Sequence, residues 1–163
     1  MPIRPARPDD LPQLLTINNA CTPGVGELTM PEQVRLTEQA AHVLVADEGN
    51  GPAGFLLCLH EGADYGSPNY AWLSAKYPRM AYVDRIAIAE NHRSLGLGEQ
   101  LYTALAKAEG GSGRPITCEV NERPANPGSL RFHKRLGFEP VGTKDHGDKA
   151  VVFLARAAKD ELA

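Results

Sequence analysis

Apolar residues recur along the chain at two spacings, one typical of strands and one typical of helices, and the changes between them predict the order of elements. Residues 2–6 (PIRPA) predict a short edge strand, and residues 11–17 carry apolar side chains at helical spacing behind an aspartate. A loop with glycine and proline leads to a second predicted helix over 32–39, and residues 43–60 predict a β-hairpin. The first third of the chain therefore predicts a strand, two helices and a hairpin.

The rest of the chain repeats the succession of strand, turn and helix. Residues 81–89 (AYVDRIAIA) are β-branched and apolar enough for a central strand, and apolar residues from Gly96 onward recur at helical intervals. Residues 116–120 (ITCEV) predict the next strand, and the polar segment NERPANPG separates it from a helix (SLRFHKRL) that ends at Gly137. FEPVG and AVVFLAR predict two closing strands. These elements predict an α+β fold in a single domain over 1–163, with a sheet rich in antiparallel pairs.

Composition and charge narrow the classes of partner. The 163 residues carry a formal net charge of -3 and a pI near 5.9, whereas proteins that bind nucleic acid through its phosphates normally have a basic excess. The longest apolar stretch, residues 53–60, is far shorter than the ~20 residues of a membrane span. We therefore predict a cytoplasmic protein whose partner is neither a nucleic acid nor a membrane.

The cysteines and histidines show no pattern of metal ligands. Cys21, Cys58 and Cys118 are widely spaced and odd in number, which fits neither a disulfide framework nor a zinc site. His42 and His60 also lack metal-ligand spacing, so we predict packing or surface roles for them and no bound metal.

Two glycines one residue apart precede the predicted helix that follows Gly96, in the segment RSLGLGEQL. Glycine in a first turn weakens a helix by roughly 1 kcal/mol relative to alanine, so the pair needs another reason. A phosphate-binding Walker loop is excluded because no Lys-Ser or Lys-Thr follows Gly98, and a dinucleotide fingerprint fits poorly because Leu101 stands at its third glycine. A plain turn before a core helix remains an alternative.

Arg93, Gly96 and Gly98 match the pattern R-x-x-G-x-G/A, and here the chain resembles the GCN5-related N-acetyltransferase (GNAT) superfamily. Residues 81–105 resemble its central strand, pyrophosphate loop and helix. Residues 116–138 resemble its next strand and the helix that ends in LGF. The resemblance covers nearly half of the chain, in the order that the family has.

The resemblance implies a mixed, mostly antiparallel sheet flanked by helices, whose central strands splay apart to form a cleft for acetyl-coenzyme A. The pyrophosphate would lie at the helix start, where N–H groups lack intrahelical partners and the helix dipole adds roughly half a positive charge. The pantetheine arm would lie along the preceding strand. The cofactor-binding residues implied are Ile86, Ala87 and Ile88 on the strand, Arg93, Ser94, Leu95, Gly96, Leu97, Gly98 and Glu99 in the loop, and Asn126 and Ser129 at the start of the last helix. For Asn126, the alternative is a role as the N-terminal cap of that helix.

Amine acetylation needs a base for the amine, a donor for the oxyanion and a proton for the departing thiolate. The resemblance implies Glu119 as the base, and a solvent-facing or ion-paired glutamate is the structural alternative. Asp84 lies with Tyr82 on one face of its strand by strict alternation and is the reserve base, with Arg85 predicted to point away from it. His133 stands in FHKRLGF where the family usually has a tyrosine acid, so the resemblance implies that it gives a proton, or at least a hydrogen bond, to the departing sulfur. Packing against the sheet or capping a carbonyl is its alternative role.

We therefore predict an acetyl-CoA-dependent N-acetyltransferase that acts on a primary amine of a small molecule or peptide by direct attack on the thioester. The alternative is a GNAT-fold protein that binds an acyl-CoA as a sensor or interaction module without useful turnover. Residues 61–79 hold Tyr65, Tyr70, Trp72 and Tyr77. For this aromatic connection we consider two roles, a lid over the site and a homodimer contact.

Overall fold

Strands and helices alternate in the computed structural model, which describes residues 2–158. The strands are β1 (Ile3–Pro5), β2 (His42–Asp47), β3 (Pro52–His60), β4 (Ala81–Ile88), β5 (Ile116–Arg123), β6 (Glu139–Asp145) and β7 (Ala150–Arg156). The helices are α1 (Leu11–Ala20), α2 (Met30–Gln39), α3 (Pro68–Lys76), α4 (Leu97–Ala108) and α5 (Pro127–Arg135). Short 3₁₀ turns precede α1 and follow β4.

The strands form a seven-stranded sheet in the order β1-β2-β3-β4-β5-β7-β6. Neighbouring strands run antiparallel except β4 and β5, which are parallel. The predicted mixed, mostly antiparallel sheet flanked by helices is therefore confirmed.

The parallel pair at the centre of the sheet is the part that opens. β4 and β5 are paired only where Ala81 meets Ile116 and Tyr82 meets Thr117, although both strands continue for several residues beyond. From Val83 onward, the edge of β4 that faces β5 has no ladder partner. The predicted splay of the central strands is present, and it creates a cleft between them.

Helices cover both faces of the sheet with separate apolar clusters. α4 packs through Leu97, Leu101 and Leu105 on one face, where α5 also contributes apolar side chains. α1, α2 and α3 pack on the other face, with Leu14 and Leu73 almost fully buried. No helix within residues 2–158 has both the length and the apolar character needed to cross a membrane.

Local sequence signals explain where several helices begin and end. The Thr29 hydroxyl accepts from the Glu32 N–H, and the Glu32 carboxylate accepts from the Thr29 N–H, which forms a capping box at the start of α2. Gly137 follows α5 with φ 96°, the left-handed conformation that glycine adopts without steric cost, as its position after the helix predicts.

Two boundaries differ from the sequence-based expectation. Residues 61–79, predicted only as an aromatic connection, contain α3, whose first turn is capped by the Ser67 hydroxyl. Trp72 of α3 stacks on Phe153 of β7 with ring centroids 4.0 Å apart. The second difference is that β5 continues to Arg123 instead of ending at Val120, because pairing with β7 holds the polar residues in the sheet.

Candidate active site

The opening between β4 and β5 is a cleft with a volume of about 850 Å³. Its walls are the end of β4, the loop and first turn of α4, the start of α5 and the loop between α1 and α2. All three predicted catalytic residues, Asp84, Glu119 and His133, line it. These three residues, which are up to 49 positions apart in the chain, meet at one site only because the central strands separate there.

Main-chain groups of β4 point into the cleft. The Ala89 N–H donates to the Ala53 carbonyl of β3 at 2.8 Å, so by alternation the Ala87 main chain faces β3, and those of Ile86 and Ile88 face the cleft. The Ile88 carbonyl also accepts from Arg93 Nε at 3.2 Å, on the side away from β3. Ile86 and the Ile88 N–H therefore offer an extended ligand a strand edge that β5 does not pair with, while the Ile88 carbonyl is held by Arg93.

The loop before α4 has the backbone conformation of an anion site. Ser94 and Gly96 adopt left-handed φ angles of 66° and 78°, and a Cβ added to Gly96 would meet no atom within 4 Å. Gly96 is the N-cap of α4, so the N–H groups of its first turn have no partner within the helix. An anionic group can approach these N–H groups closely, and the dipole of the 12-residue helix favours it.

The structure explains the glycine at position 98 differently from the glycine at position 96. A Cβ at Gly98 would lie 2.8 Å from the Phe132 ring of α5, which is closer than any real Cβ contact. The missing side chain therefore lets α5 pack against the start of α4. The resemblance implied an anion-binding role for both glycines, and the packing role of Gly98 is an addition that only the structure shows.

Most of the predicted cofactor-binding residues surround the cleft, and two do not. Leu95 and Glu99 are outside the lining: the Leu95 side chain is 57% exposed and Glu99 is also exposed. The predicted residues that line the cleft are Ile86, Ala87, Ile88, Arg93, Ser94, Gly96, Leu97, Gly98, Asn126 and Ser129. Leu95 and Glu99 can contribute only their main-chain groups.

Asn126 caps α5 instead of reaching freely into the cleft. Its Oδ1 accepts from the Ser129 N–H at 3.3 Å, which is the capping role that the sequence left open. Its Nδ2 lies near Gly24 of the loop between α1 and α2. The Asn126 Oδ1 is therefore used to cap α5, whereas Nδ2 lies at the wall of the cleft.

Glu119 of β5 is hydrogen-bonded across the opening by Tyr82 of β4. The Tyr82 hydroxyl lies 2.7 Å from one carboxylate oxygen and 2.8 Å from the other. Burial raises the pKa of Glu119 to about 8, even though the bond from Tyr82 acts in the opposite direction. A carboxyl group in this range can both take up and release a proton near neutral pH.

Asp84 is committed to an ion pair, contrary to the expectation that Arg85 points away from it. Arg85 Nε lies 2.7 Å from Asp84 Oδ2, and the Tyr65 hydroxyl donates to Asp84 Oδ1 at 2.6 Å. The cause is a β-bulge: Leu57 and Cys58 of β3 face Arg85 and Val83, so Asp84 is an extra residue on β4. The bulge breaks strict alternation and brings adjacent side chains to the same side.

His133 is buried, and both of its ring nitrogens have partners. Nδ1 donates to the Ser129 carbonyl at 2.7 Å, which leaves Nε2 to accept from the Tyr102 hydroxyl at 2.7 Å. Burial lowers the pKa of His133, so the ring is neutral at neutral pH. This geometry disfavours the imidazolium acid that the sequence suggested.

Three residues of the site gave no usable signal in the sequence. Tyr102 lies on the cleft wall, although the apolar repeat around it predicts only a helix packed on the core. Asn69 of α3 donates to Glu119 Oε1 at 3.4 Å and contacts the ring of His146, in the turn between β6 and β7, at 3.1 Å. Tyr65 holds Asp84. Only tertiary contacts identify them, because the aromatic connection and the hairpin are remote in sequence.

The fold and the cleft agree with comparisons to known proteins. Residues 11–138 match the Acetyltransferase (GNAT) family, and the chain belongs to it. The predicted enzyme class, an N-acetyltransferase, is confirmed at this level.

Individual relatives support the same class. An N-alpha-acetyltransferase of Sulfurisphaera tokodaii is 28% identical over 166 residues, which cover 94% of this chain and 91% of that protein. A crystal structure of Naa20 from Chaetomium thermophilum in complex with a bisubstrate analogue is similar with a TM-score of 0.76 at 19% identity, covering 96% of this chain and 86% of that one. Ribosomal-protein-alanine N-acetyltransferase from Brucella melitensis gives a TM-score of 0.71 at 20% identity, covering 96% and 99%. At these identities the two structures establish the fold.

Proposed function

We propose that the protein transfers the acetyl group of acetyl-CoA to a primary amine, with Glu119 as the base. The observation that carries the proposal is the position of this carboxyl group, at the point where β4 and β5 part. Its pKa of about 8 matches the task of taking a proton from an amine near neutral pH.

The residues of the cleft fit acetyl-CoA. The left-handed Gly96 and the first turn of α4 form a cradle for a pyrophosphate, and the open edge at Ile86 and Ile88 can pair with pantetheine amides as a strand would. Acetyl-CoA, when bound, would supply the thioester carbon that the amine attacks. Arg93, which reaches the Ile88 carbonyl, is close enough to both regions to add positive charge.

Each of the chain's own groups then has a defined task. Glu119 accepts the proton of the amine, and Tyr82 holds the carboxylate in one orientation by donating to both oxygens. The N–H groups on the cleft side of β4 are donors for negative charge that develops next to that strand.

His133 contributes to the site as a neutral ring. Its Nε2 accepts from Tyr102, so it fixes the direction of a hydroxyl group on the α4 side of the cleft. Burial lowers the pKa of His133, whereas it raises the pKa of Glu119 to about 8, so an imidazolium acid and a deprotonated base would seldom be present in the same molecule. The neutral ring avoids this conflict, and the departing thiolate then takes its proton from solvent.

We further propose that the acceptor is the α-amino group of a peptide. Support comes from the Sulfurisphaera tokodaii relative, which is named an N-alpha-acetyltransferase. Asn69 of α3 donates to Glu119, and His146 of the β6–β7 hairpin contacts Asn69, so an acceptor that reaches Glu119 from this side would meet polar groups of these two elements.

The experiment is a measurement of thiol release from acetyl-CoA with a panel of amines. Peptides with a free amino terminus are compared with the same peptides blocked there but carrying an internal lysine, and with polyamines, amino sugars and amino acids. Release only with free amino termini supports the α-amine proposal, whereas release with another class redirects the acceptor assignment. Tight binding of acetyl-CoA without release above background across the panel would favour a binding module.

A further inference from the structure

A cluster of two histidines and one glutamate lies at the end of the sheet opposite the acetyl-CoA cleft. His42 at the start of β2, His60 at the end of β3 and Glu109 just after α4 each present one ligand atom, and these atoms all lie within 4.8 Å of one another. His60 pairs in register with Ala81 at the start of β4, whereas the cleft begins at Val83 and follows β4 to its other end. The cluster is therefore a separate feature of the fold.

The sheet register aims both imidazoles at the same helix end. His42 pairs with Cys58 across β2 and β3, and His60 is two residues beyond Cys58 on the same strand. Both side chains thus project from the face on which α4 packs. Glu109 Oε2 lies 2.6 Å from His42 Nε2 and 2.7 Å from His60 Nε2, so a single oxygen is shared by two rings.

The other carboxylate oxygen of Glu109 is held separately. The Ser112 hydroxyl donates to Oε1 at 3.1 Å, and Arg114 lies 3.8 Å from it. Arg114 Nε and Nη2 donate to the two carboxylate oxygens of Glu61, at 3.0 and 2.9 Å, and Nη1 is the nitrogen that faces Glu109. Oε2 is thereby oriented towards the imidazoles by contacts of the kind that orient metal ligands in proteins.

We propose that His42, His60 and Glu109 bind a divalent transition-metal ion of the zinc class. Two imidazole nitrogens and one carboxylate oxygen form a ligand set that Zn²⁺ and similar ions accept in tetrahedral geometry. Metal–ligand distances of about 2.0–2.2 Å require ligand atoms roughly 3.3 Å apart. The observed N–O separations of 2.6 and 2.7 Å therefore need side-chain adjustments of less than about 1 Å.

Proton balance and charge both permit this binding. Binding requires each ring in the tautomer that carries its proton on Nδ1, and exchange with solvent provides this tautomer and frees the Nε2 lone pair for the ion. Glu109 supplies a carboxylate oxygen, which is a ligand that such ions accept. It also stands at the carboxyl end of α4, where the helix dipole favours a cation. The His42 and His60 side chains are 24% and 30% exposed, which leaves room for a water as fourth ligand.

The experiment uses the full chain without an affinity tag, freed of metal by a chelator and titrated with Zn²⁺ by calorimetry. We expect one ion per chain, with affinity lowered by more than about 100-fold in His60→Gln, because loss of even an outer-shell partner costs about 10–100-fold. The matched control is His146→Gln, which removes an exposed histidine outside the cluster and should leave the affinity unchanged. Equal affinity in the wild-type protein and in His60→Gln would overturn the proposal, as would no measurable binding.

A second measurement on the wild-type protein covers the case that His60→Gln does not fold. Zinc should shift the ring nitrogen resonances of His42 and His60 together, and Co²⁺ should give the visible absorption of a tetrahedral site. Shifts confined to other histidines would show an adventitious surface site and overturn the proposal. Because the cluster is remote from the cleft, acetyl-CoA binding serves as a check that His60→Gln is folded.

Discussion

The Tyr82 hydroxyl bridges both carboxylate oxygens of Glu119, at 2.7 and 2.8 Å, from the last residue of β4 that still pairs with β5. The candidate base is thus fixed where the sheet opens, and burial there raises its pKa to about 8. A general base needs both a fixed orientation and a pKa near the working pH, and Glu119 has both at this position, whereas a side chain that only fills the core needs neither.

Glu119→Gln should lower kcat by about 10²- to 10⁴-fold, the usual contribution of a well-placed general base, while acetyl-CoA affinity changes little. The matched control is Glu122→Gln, an exposed residue three positions further along β5. Steady-state kinetics on a confirmed amine, together with calorimetry of acetyl-CoA, provides the test. A Glu119→Gln variant with wild-type kcat would move the base elsewhere.

The pH profile should report the ionisation of Glu119. As a base it is active when deprotonated, so kcat/KM should rise with pH through about 8 and then level off. Tyr82→Phe removes a bond that stabilises the carboxylate, so the pKa should increase and the rising limb should move to higher pH. The control is Tyr77→Phe, which changes a tyrosine outside the cleft lining and should leave the pH at which kcat/KM rises unchanged. An unchanged limb in Tyr82→Phe would contradict the assignment.

Asp84→Asn should mainly reduce stability. It leaves Arg85, which is buried, without its carboxylate, and breaking a buried pair typically costs about 3–5 kcal/mol. The comparison is Asp145→Asn, which breaks the exposed pair with Arg123 and should change the stability far less, because solvent screens that pair. Denaturant unfolding measures both. If Asp84→Asn is stable and loses more turnover than Glu119→Gln, Asp84 is the base.

His133→Ala should destabilise the protein by about 1–3 kcal/mol, because the buried Tyr102 hydroxyl loses its acceptor. A neutral His133 also predicts that kcat does not fall between about pH 7 and 9, since its lowered pKa lies below that range. Tyr102→Phe removes the same hydrogen bond from the other side, so its kcat should change by about the same factor as that of His133→Ala. An alkaline fall of kcat that disappears in His133→Ala would instead support the imidazolium acid.

Gly98→Glu should abolish acetyl-CoA binding, because it adds bulk against Phe132 and negative charge at the start of α4. Gly98→Gln adds the same bulk without the charge, so the difference in acetyl-CoA affinity between the two variants isolates the electrostatic part. Gly66→Glu, at a site with open space around it, is the control for added charge. Unchanged affinity in a folded Gly98→Glu variant would remove the pyrophosphate site from this loop.

The alternation of apolar and polar residues determined most of the fold. Continuous apolar strands such as 81–89 and the helical repeat after Gly96 are local patterns, so each element could be predicted from neighbouring residues alone. The glycine pair with Arg93 predicted the position of the proposed cofactor site for the same reason, since a turn before a helix is a local structure whose backbone requirements the sequence carries directly. Gly96 has the left-handed φ that such a turn requires.

Tertiary structure alone decided which side chains meet. Asp84 and Arg85 are adjacent in sequence, yet only the bulge against β3 turns them into a pair, because a bulge depends on the register of two strands. The tautomer of His133 is determined by Tyr102, which lies 31 residues away on another helix, and its neutral form is favoured by burial. Neither the contact nor the burial can be predicted from the neighbouring sequence. The His42–His60–Glu109 cluster likewise required three elements to converge. Sequence patterns record the preferences of a segment, whereas the pKa values and partners of a site depend on what packs against it.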